Sequence, residues 1–193
     1  MAWAPDYVTA TDLKGFLRIT DTVDDAQLAF AITAASRAVD KHCNRQFGLL
    51  AAVEDRVYTA RWDVALGKYV LDVDDLMTST GLAVTGAAAI TDYTLRPSNA
   101  DLNGRPWTRV IVNSGGRDSL DGITVTAKWG WSAVPVAVQQ AALLQASRFF
   151  KRKDAAFGVA GSPELGSELR LLAKVDPDVA VVLGPYQRRR RVG

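Results

Sequence analysis

One cysteine and one histidine stand among 193 residues. With Cys43 alone, an internal disulfide and any multi-cysteine metal site are excluded. His42 is its sequence neighbour, yet adjacent residues on a helix point about 100° apart and do not make a catalytic pair. Both are expected in a core or an interface. There is no HExxH pair and no Gly-rich loop ending in Lys-Ser/Thr. No apolar run approaches the ~20 residues that a bilayer-crossing helix needs. The start, Met1-Ala-Trp-Ala-Pro5, lacks the basic and apolar regions of a signal peptide, which predicts synthesis in a cytoplasm. Acidic side chains are few per locality. Asp72, Asp74 and Asp75, or Asp118 with Asp121, offer oxygens of the kind a hard cation takes. Neither spacing matches an EF-hand loop. On a strand Asp72 and Asp74 share one face and Asp75 opposes them. These are read as solvated turn acids. No catalytic residue, cofactor or metal ligand is therefore expected.

What is present is ordinary in amount and uneven in place. Apolar residues make up 48% and charged residues 23%, as in soluble globular proteins. Net charge is +2. From Arg148 to Gly193, ten Lys/Arg face five Asp/Glu, a balance of +5; residues 1–147 hold thirteen against sixteen, a balance of −3. A mildly acidic body carries a basic C-terminal end, which points to a polyanionic or acidic partner there. The densest part is Arg188, Arg189, Arg190 and Arg191. It reads either as a solvated tail or as a contact for DNA phosphates or acidic protein.

Periodicity predicts an opening helix over 6–20, with Thr9 and Asp12 fitting a capping box. A second helix begins near Thr22 or Asp24, with Thr22 as a candidate cap. It carries Leu28, Ile32, Ala35, Val39 and Cys43 at helical spacing among many alanines. It ends between Asn44 and Gly48. Residues 52–131 change to Val, Thr, Tyr and Trp broken by turn formers. Strands are expected at Arg56–Asp63, Lys68–Val73, Thr78–Thr85, Ala88–Leu95, Thr108–Asn113 and Gly122–Trp131. Helix returns at Pro135, with Val136, Leu143 and Phe150 a heptad apart and Val138, Ala142 and Phe149 beside them. Gly158–Pro163 reads as a linker. Leu165, Leu169, Leu171 and Leu172 suggest a short helix. A last helix starts at Asp176-Pro177 and stops at Gly184-Pro185. The expected fold class is α+β, a small helical bundle with an inserted antiparallel β lobe and a flexible C-terminal tail. Its expected segments are N-terminal helices over 1–50, the β lobe over 51–132, a return helix over 133–160, and short helices with a basic tail over 161–193.

Several separated segments carry a resemblance. They are Tyr7 to Thr20; Asp24-Asp25 followed by Ala34 to Phe47; Trp129-Gly-Trp to Pro135, then Val138 to Leu144 and Arg148 to Asp154. Phe157 to Gly161 and Val175 to Ala180, with Pro185-Tyr186 after, are similar to an actinophage branch. Together they cover nearly the whole chain, which resembles the phage head-to-tail connector family, the first adaptor ring beneath a portal. The β lobe departs most. The resemblance implies a virion neck protein made in the host bacterial cytoplasm, assembling into a ring of about twelve copies. It also implies portal protein on one side, the next neck, stopper or tail protein on the other, genomic DNA passing non-specifically through the channel, and no membrane. The expected portal-docking residues are Arg148, Lys151, Arg152, Lys153, Tyr186 and Arg188 to Arg191. Two other classes remain open: a small DNA-binding or packaging protein using the basic tail, and, third, a metal-dependent hydrolase.

Overall fold

The computed structural model describes residues 3–113, 122–152, 159–160, 169–170 and 176–188. In chain order the elements are α1 (Ala10–Leu17), α2 (Asp25–Cys43), β1 (Glu54–Tyr58), β2 (Arg61–Asp63), β3 (Lys68–Leu76), β4 (Ala83–Thr85), β5 (Tyr93–Arg96), β6 (Trp107–Val112), β7 (Ile123–Ala127), α3 (Val136–Lys151), β8 (Val159–Ala160), β9 (Leu169–Arg170) and α4 (Pro177–Leu183). The class is α+β. The chain divides into a helical unit, Met1–Gln46 with Val134–Gly193, and a β unit, Phe47–Ala133.

In the helical unit α1 is closed by the expected capping box: the Thr9 hydroxyl accepts from the Asp12 amide, and the Asp12 carboxylate accepts from the Thr9 amide at 2.8 Å. Arg18 ends it in the left-handed region at φ 59°. Helix α2 starts at the later of the two expected places, two residues after a Thr22 cap implies. Asp24 occupies the N-cap without a side-chain bond, and Thr22 contributes only its carbonyl, to the Asp25 amide. The stripe Leu28, Ile32, Ala35, Val39 and Cys43 is buried as its spacing predicts. In α3 the expectation holds in part: Val138, Ala142 and Phe150 are buried, with Ala141 and Ala146, while Leu143 and Phe149 are half-buried and Val136 is exposed. That helix is apolar on more than one side, so period alone does not name the core face. Pro135 is its N-cap rather than its first turn. Helix α4 matches expectation, with the Asp176 carboxylate accepting from the Asp178 amide at 2.9 Å and Pro177 next. Gly184–Tyr186 add a 3₁₀ turn. Where a helix was expected around Leu169, Leu169–Arg170 instead pairs as a strand with Val159–Ala160, inside the expected linker. Leu165, Leu171 and Leu172 lie outside the described residues.

The β unit holds two antiparallel sheets, ordered β2-β3-β6-β5 and β1-β7-β4. The single strand expected over Arg56–Asp63 is two. It breaks at Thr59-Ala60 and its halves join different sheets. No turn former marks the break, so the switch is set by packing rather than local sequence. The strands expected at Thr78–Thr85 and Ala88–Leu95 shrink to Ala83–Thr85 and Tyr93–Arg96. In β7 and beyond, Ile123, Val125, Ala127 and Trp129 are buried in alternation, as predicted.

The base of this unit is a backbone pinch. Gly130, at φ +112°, donates to the Asp75 carbonyl at 2.7 Å, and the Trp131 amide donates to the Gly48 carbonyl at 2.8 Å. A Cβ on Gly130 would collide with that Gly48 carbonyl. The aromatics close around it. The Phe47 and Trp131 ring centroids are 5.1 Å apart, and buried Trp131 Nε1 donates to the Asp75 carboxylate at 2.8 Å. Trp129 Nε1 donates to the Glu54 carbonyl at 2.8 Å, with the Arg56 guanidinium 5.0 Å over its ring.

Candidate partner-binding surface

The basic residues of the C-terminal region sit on three elements. Arg148, in the last turns of α3, is ion-paired with Asp176, the cap of α4. It therefore fastens α4 to α3. Lys151 is exposed in the final turn of α3. The Arg152 guanidinium lies 6.0 Å from the Phe149 ring. Tyr186 is half-buried in the 3₁₀ turn. The Arg188 amide donates to the Cys43 carbonyl at 2.8 Å, at the C-terminus of α2, and Gln187 Nε2 meets His42 Nε2 at 2.9 Å. Lys153, Arg189, Arg190 and Arg191 lie outside the described residues, as do Asp118 and Asp121.

Among the described residues, Arg148 and Arg188 do not fall in one patch. Arg148 marks one end of α4 and Arg188 follows the other, with roughly 16 Å of α and 3₁₀ helix between them. Sequence closeness hid this, because α4 runs back along the bundle between the two groups.

His42 and Cys43 do not make a reactive pair. Cys43 is fully buried, and burial pushes its thiol up to about 12, opposite to the shift that activates a nucleophile. Asp72, Asp74 and Asp75 are separately engaged. Asp72 accepts from Arg109 Nε at 3.0 Å and lies 3.4 Å from Arg61 Nε. Asp74 accepts from Arg56 Nη1 at 2.8 Å and Tyr58 Oη at 2.9 Å. A register shift between Asp72 and Leu76 interrupts their alternation. Among the described residues no group of three His, Cys, Asp or Glu is placed to hold a metal ion. Among them, too, no helix is long and apolar enough to cross a membrane.

A second network ties the segment before α1 to α2. The Tyr7 amide donates to Ser36 Oγ at 3.1 Å, Thr33 Oγ1 to the Asp6 carboxylate at 3.0 Å, and Arg37 to the Pro5 carbonyl. Burial pushes the Asp40 carboxyl up, opposed by the Tyr7 hydroxyl that donates to it and by Arg37, whose Nε is 3.1 Å away. Sequence reading missed this network, since its donors and acceptors are about thirty residues apart.

No protein-family model matches the chain, and no curated protein matches it in sequence. Solved structures do share its fold. A chain in the neck of an empty gene transfer agent particle, computed with C6 symmetry, superposes with a TM-score of 0.59 at 19% identity, covering 100% of this chain and 96% of that one. A chain in the virion of a native gene transfer agent particle superposes with a TM-score of 0.57 at 18% identity, covering 97% and 92%. At this identity the likeness defines the fold, from one end of the chain to the other.

Proposed function

We propose that the chain is a structural subunit of the neck of a tailed-phage-like particle. Copies form a ring between the portal and the next neck or tail protein, and DNA passes through the centre. The observation that carries this reading is the end-to-end likeness, over 100% of this chain, to a chain in a particle neck. C6 symmetry in that neck supports a ring of six or a multiple of six, which includes the twelve that the resemblance in sequence implies. An acidic body, −3 over residues 1–147, suits a wall past which DNA slides with little adhesion. The unreactive Cys43 and the engaged aspartates support a structural role over catalysis.

Docking on the portal engages the basic C-terminal residues, Lys151 and the Arg188–Arg191 run foremost. Guanidinium groups pair bidentately with carboxylates on an acidic portal surface. Arg148 contributes by holding α4 in place through Asp176.

The test is to mix purified chain with empty portal rings and view them by electron microscopy. Rings stacked on the portal are expected. A chain truncated after Tyr186 is expected to bind weakly; unchanged affinity for DNA-free portals overturns docking through the arginine run. Salt-dependent binding to duplex DNA with no portal affinity overturns the neck reading in favour of a DNA-binding protein.

A further inference from the structure

We infer that the ring closes through a head-to-tail contact in which the outer face of α2 on one copy packs against the outer face of α3 on the next. The inference rests on the ring reading above and adds to it the faces, their register and their polarity.

A helix at the surface of a protein that stands alone carries charges on its outer face. The two long helices of this bundle leave part of that face without charge. Between Asp25 and Arg37, α2 has no charged residue, and between its start at Val136 and Arg148, α3 has none. Each stretch is about three turns. On α2, Phe30 is 77% exposed and lies roughly 180° around the helix from the centre of the buried stripe Leu28, Ile32, Ala35, Val39 and Cys43. Ala26 and Ala34, one turn to either side, are exposed too. The segment before α1 covers this flank one to two turns further along, at Thr33 and Arg37, and leaves the first turns of α2 open. On α3, Val136 is 66% and Leu144 is 40% exposed, with exposed Gln140 between them.

These two faces lie on opposite flanks, because α2 and α3 pack along each other through their buried sides. One foreign partner would cover one flank. Copies of the chain, set side by side, cover both, and such heterologous contacts close into rings.

The lobe fixes the direction. The lobe is inserted between the end of α2 and the start of α3. Its entry and exit touch, at Phe47 with Trp131 and Gly48 with Gly130. Helices that pack along each other from one such point are antiparallel. A neighbour's α3 therefore runs antiparallel to α2. The start of α2 then lies opposite the end of that α3, where Asp25 is already paired with Lys14 and Arg148 with Asp176 of their own copies. The same alignment brings Phe30 beside the neighbour's Leu144.

The test is disulfide trapping of the full-length chain at high concentration. Phe30→Cys and Leu144→Cys are each made singly and mixed, and the double variant is made as well. Both sites are exposed, so circular dichroism and melting should match the parent. Cys43 is buried and does not compete. A specific contact raises the local thiol concentration, so the mixture should yield dimers about tenfold above a Phe30→Cys and Val64→Cys control mixture. The double variant should give a ladder of multimers. If Phe30→Cys alone dimerises as readily as the mixture, the contact is twofold rather than head-to-tail and the inference is overturned. If the mixture gives no more than the control, these flanks are not the interface. The ring reading survives that result when the parent still stacks as rings on empty portals, and falls with it when it does not.

Discussion

The two regions of the molecule solve the same problem with opposite materials. The helical unit sets small residues among its buried leucines where its helices meet. Ala35, Ala141, Ala142 and Ala146 sit fully in its core, so α2 and α3 approach closely. The β unit packs large ones, with Trp129, Trp131 and Phe47 among its most buried side chains. Their surfaces differ in the same direction. The lobe ties charges across strands, Arg56 to Asp74 and both Arg61 and Arg109 to Asp72. The bundle leaves three turns of two helices without charge. Charge pairing across strands thus marks the lobe, and neutral flanks suited to packing against more protein mark the bundle.

Substitutions can break this contrast. The largest effect should come from Gly130→Ala, which puts a methyl group into the Gly48 carbonyl at a backbone angle that alanine resists. A loss of about 3 kcal/mol or more is expected, read by denaturant unfolding with tryptophan fluorescence. Next, the lobe should suffer from subtraction and the bundle from addition. Trp131→Phe removes the donor to buried Asp75 and should cost about 2–3 kcal/mol. Ala142→Leu overfills the α2–α3 seam and should cost about 1–3 kcal/mol. Should Ala142→Leu stabilise the chain instead, the bundle is not tightly packed and the contrast fails.

High pH should loosen both regions at once. Burial raises the Cys43 thiol in the bundle from its ordinary 9.0 to about 12, and burial also raises the Tyr58 phenol in the lobe. In each case the folded chain holds the proton more tightly than the unfolded chain. For Cys43 the stability this brings is complete below pH 9 and is lost as pH climbs through about 12, and the Tyr58 contribution is lost higher still. Unfolding midpoints between pH 8 and 12 check this, and Cys43→Ala should flatten the bundle's share of the decline. The smallest effect belongs to Thr9→Ala, which opens the capping box of α1 and should cost about 1 kcal/mol. The hydrogen bond from the Thr9 hydroxyl, followed by that from its amide, lowers the Asp12 carboxyl. The cap's contribution is thus present above the ordinary carboxyl range and fades as acid titrates Asp12. Thr9→Ala should reduce that acid sensitivity in a pH series of melting curves, since the residue 9 amide still bonds to Asp12.

Local chemistry was readable where local chemistry decides. The Thr9–Asp12 box, the Leu28-to-Cys43 stripe, and the Asp176-Pro177 start of α4 all follow from side chains within a turn or two of one another. What was not readable depends on distant packing. Arg56–Asp63 has strand-forming residues throughout, and only the two sheets decide that it breaks at Ala60. Apolar residues around most of α3 left Val136 and Val138 equivalent by period, and the neighbouring helices chose Val138. The candidate surface shows the same limit. Arg148 and Arg188 belong to one basic stretch of sequence, but Asp176 and Cys43 draw them to different ends of α4.

The Gly48–Gly130 pinch bears on how the chain reaches its fold. For α2 and α3 to meet with the insertion unfolded, a loop of ~87 residues, 47 to 133, must close, at an entropic cost near 4 kcal/mol. Once the lobe has formed, its own backbone bonds hold residues 48 and 130 together. The loop left to close is only a few residues long, and about 3 kcal/mol of that cost disappears from the bundle's side. Lobe formation thus turns a long-range helix pair into an almost local one. A lobe crippled at Gly130 should slow the assembly of a bundle whose own residues are untouched.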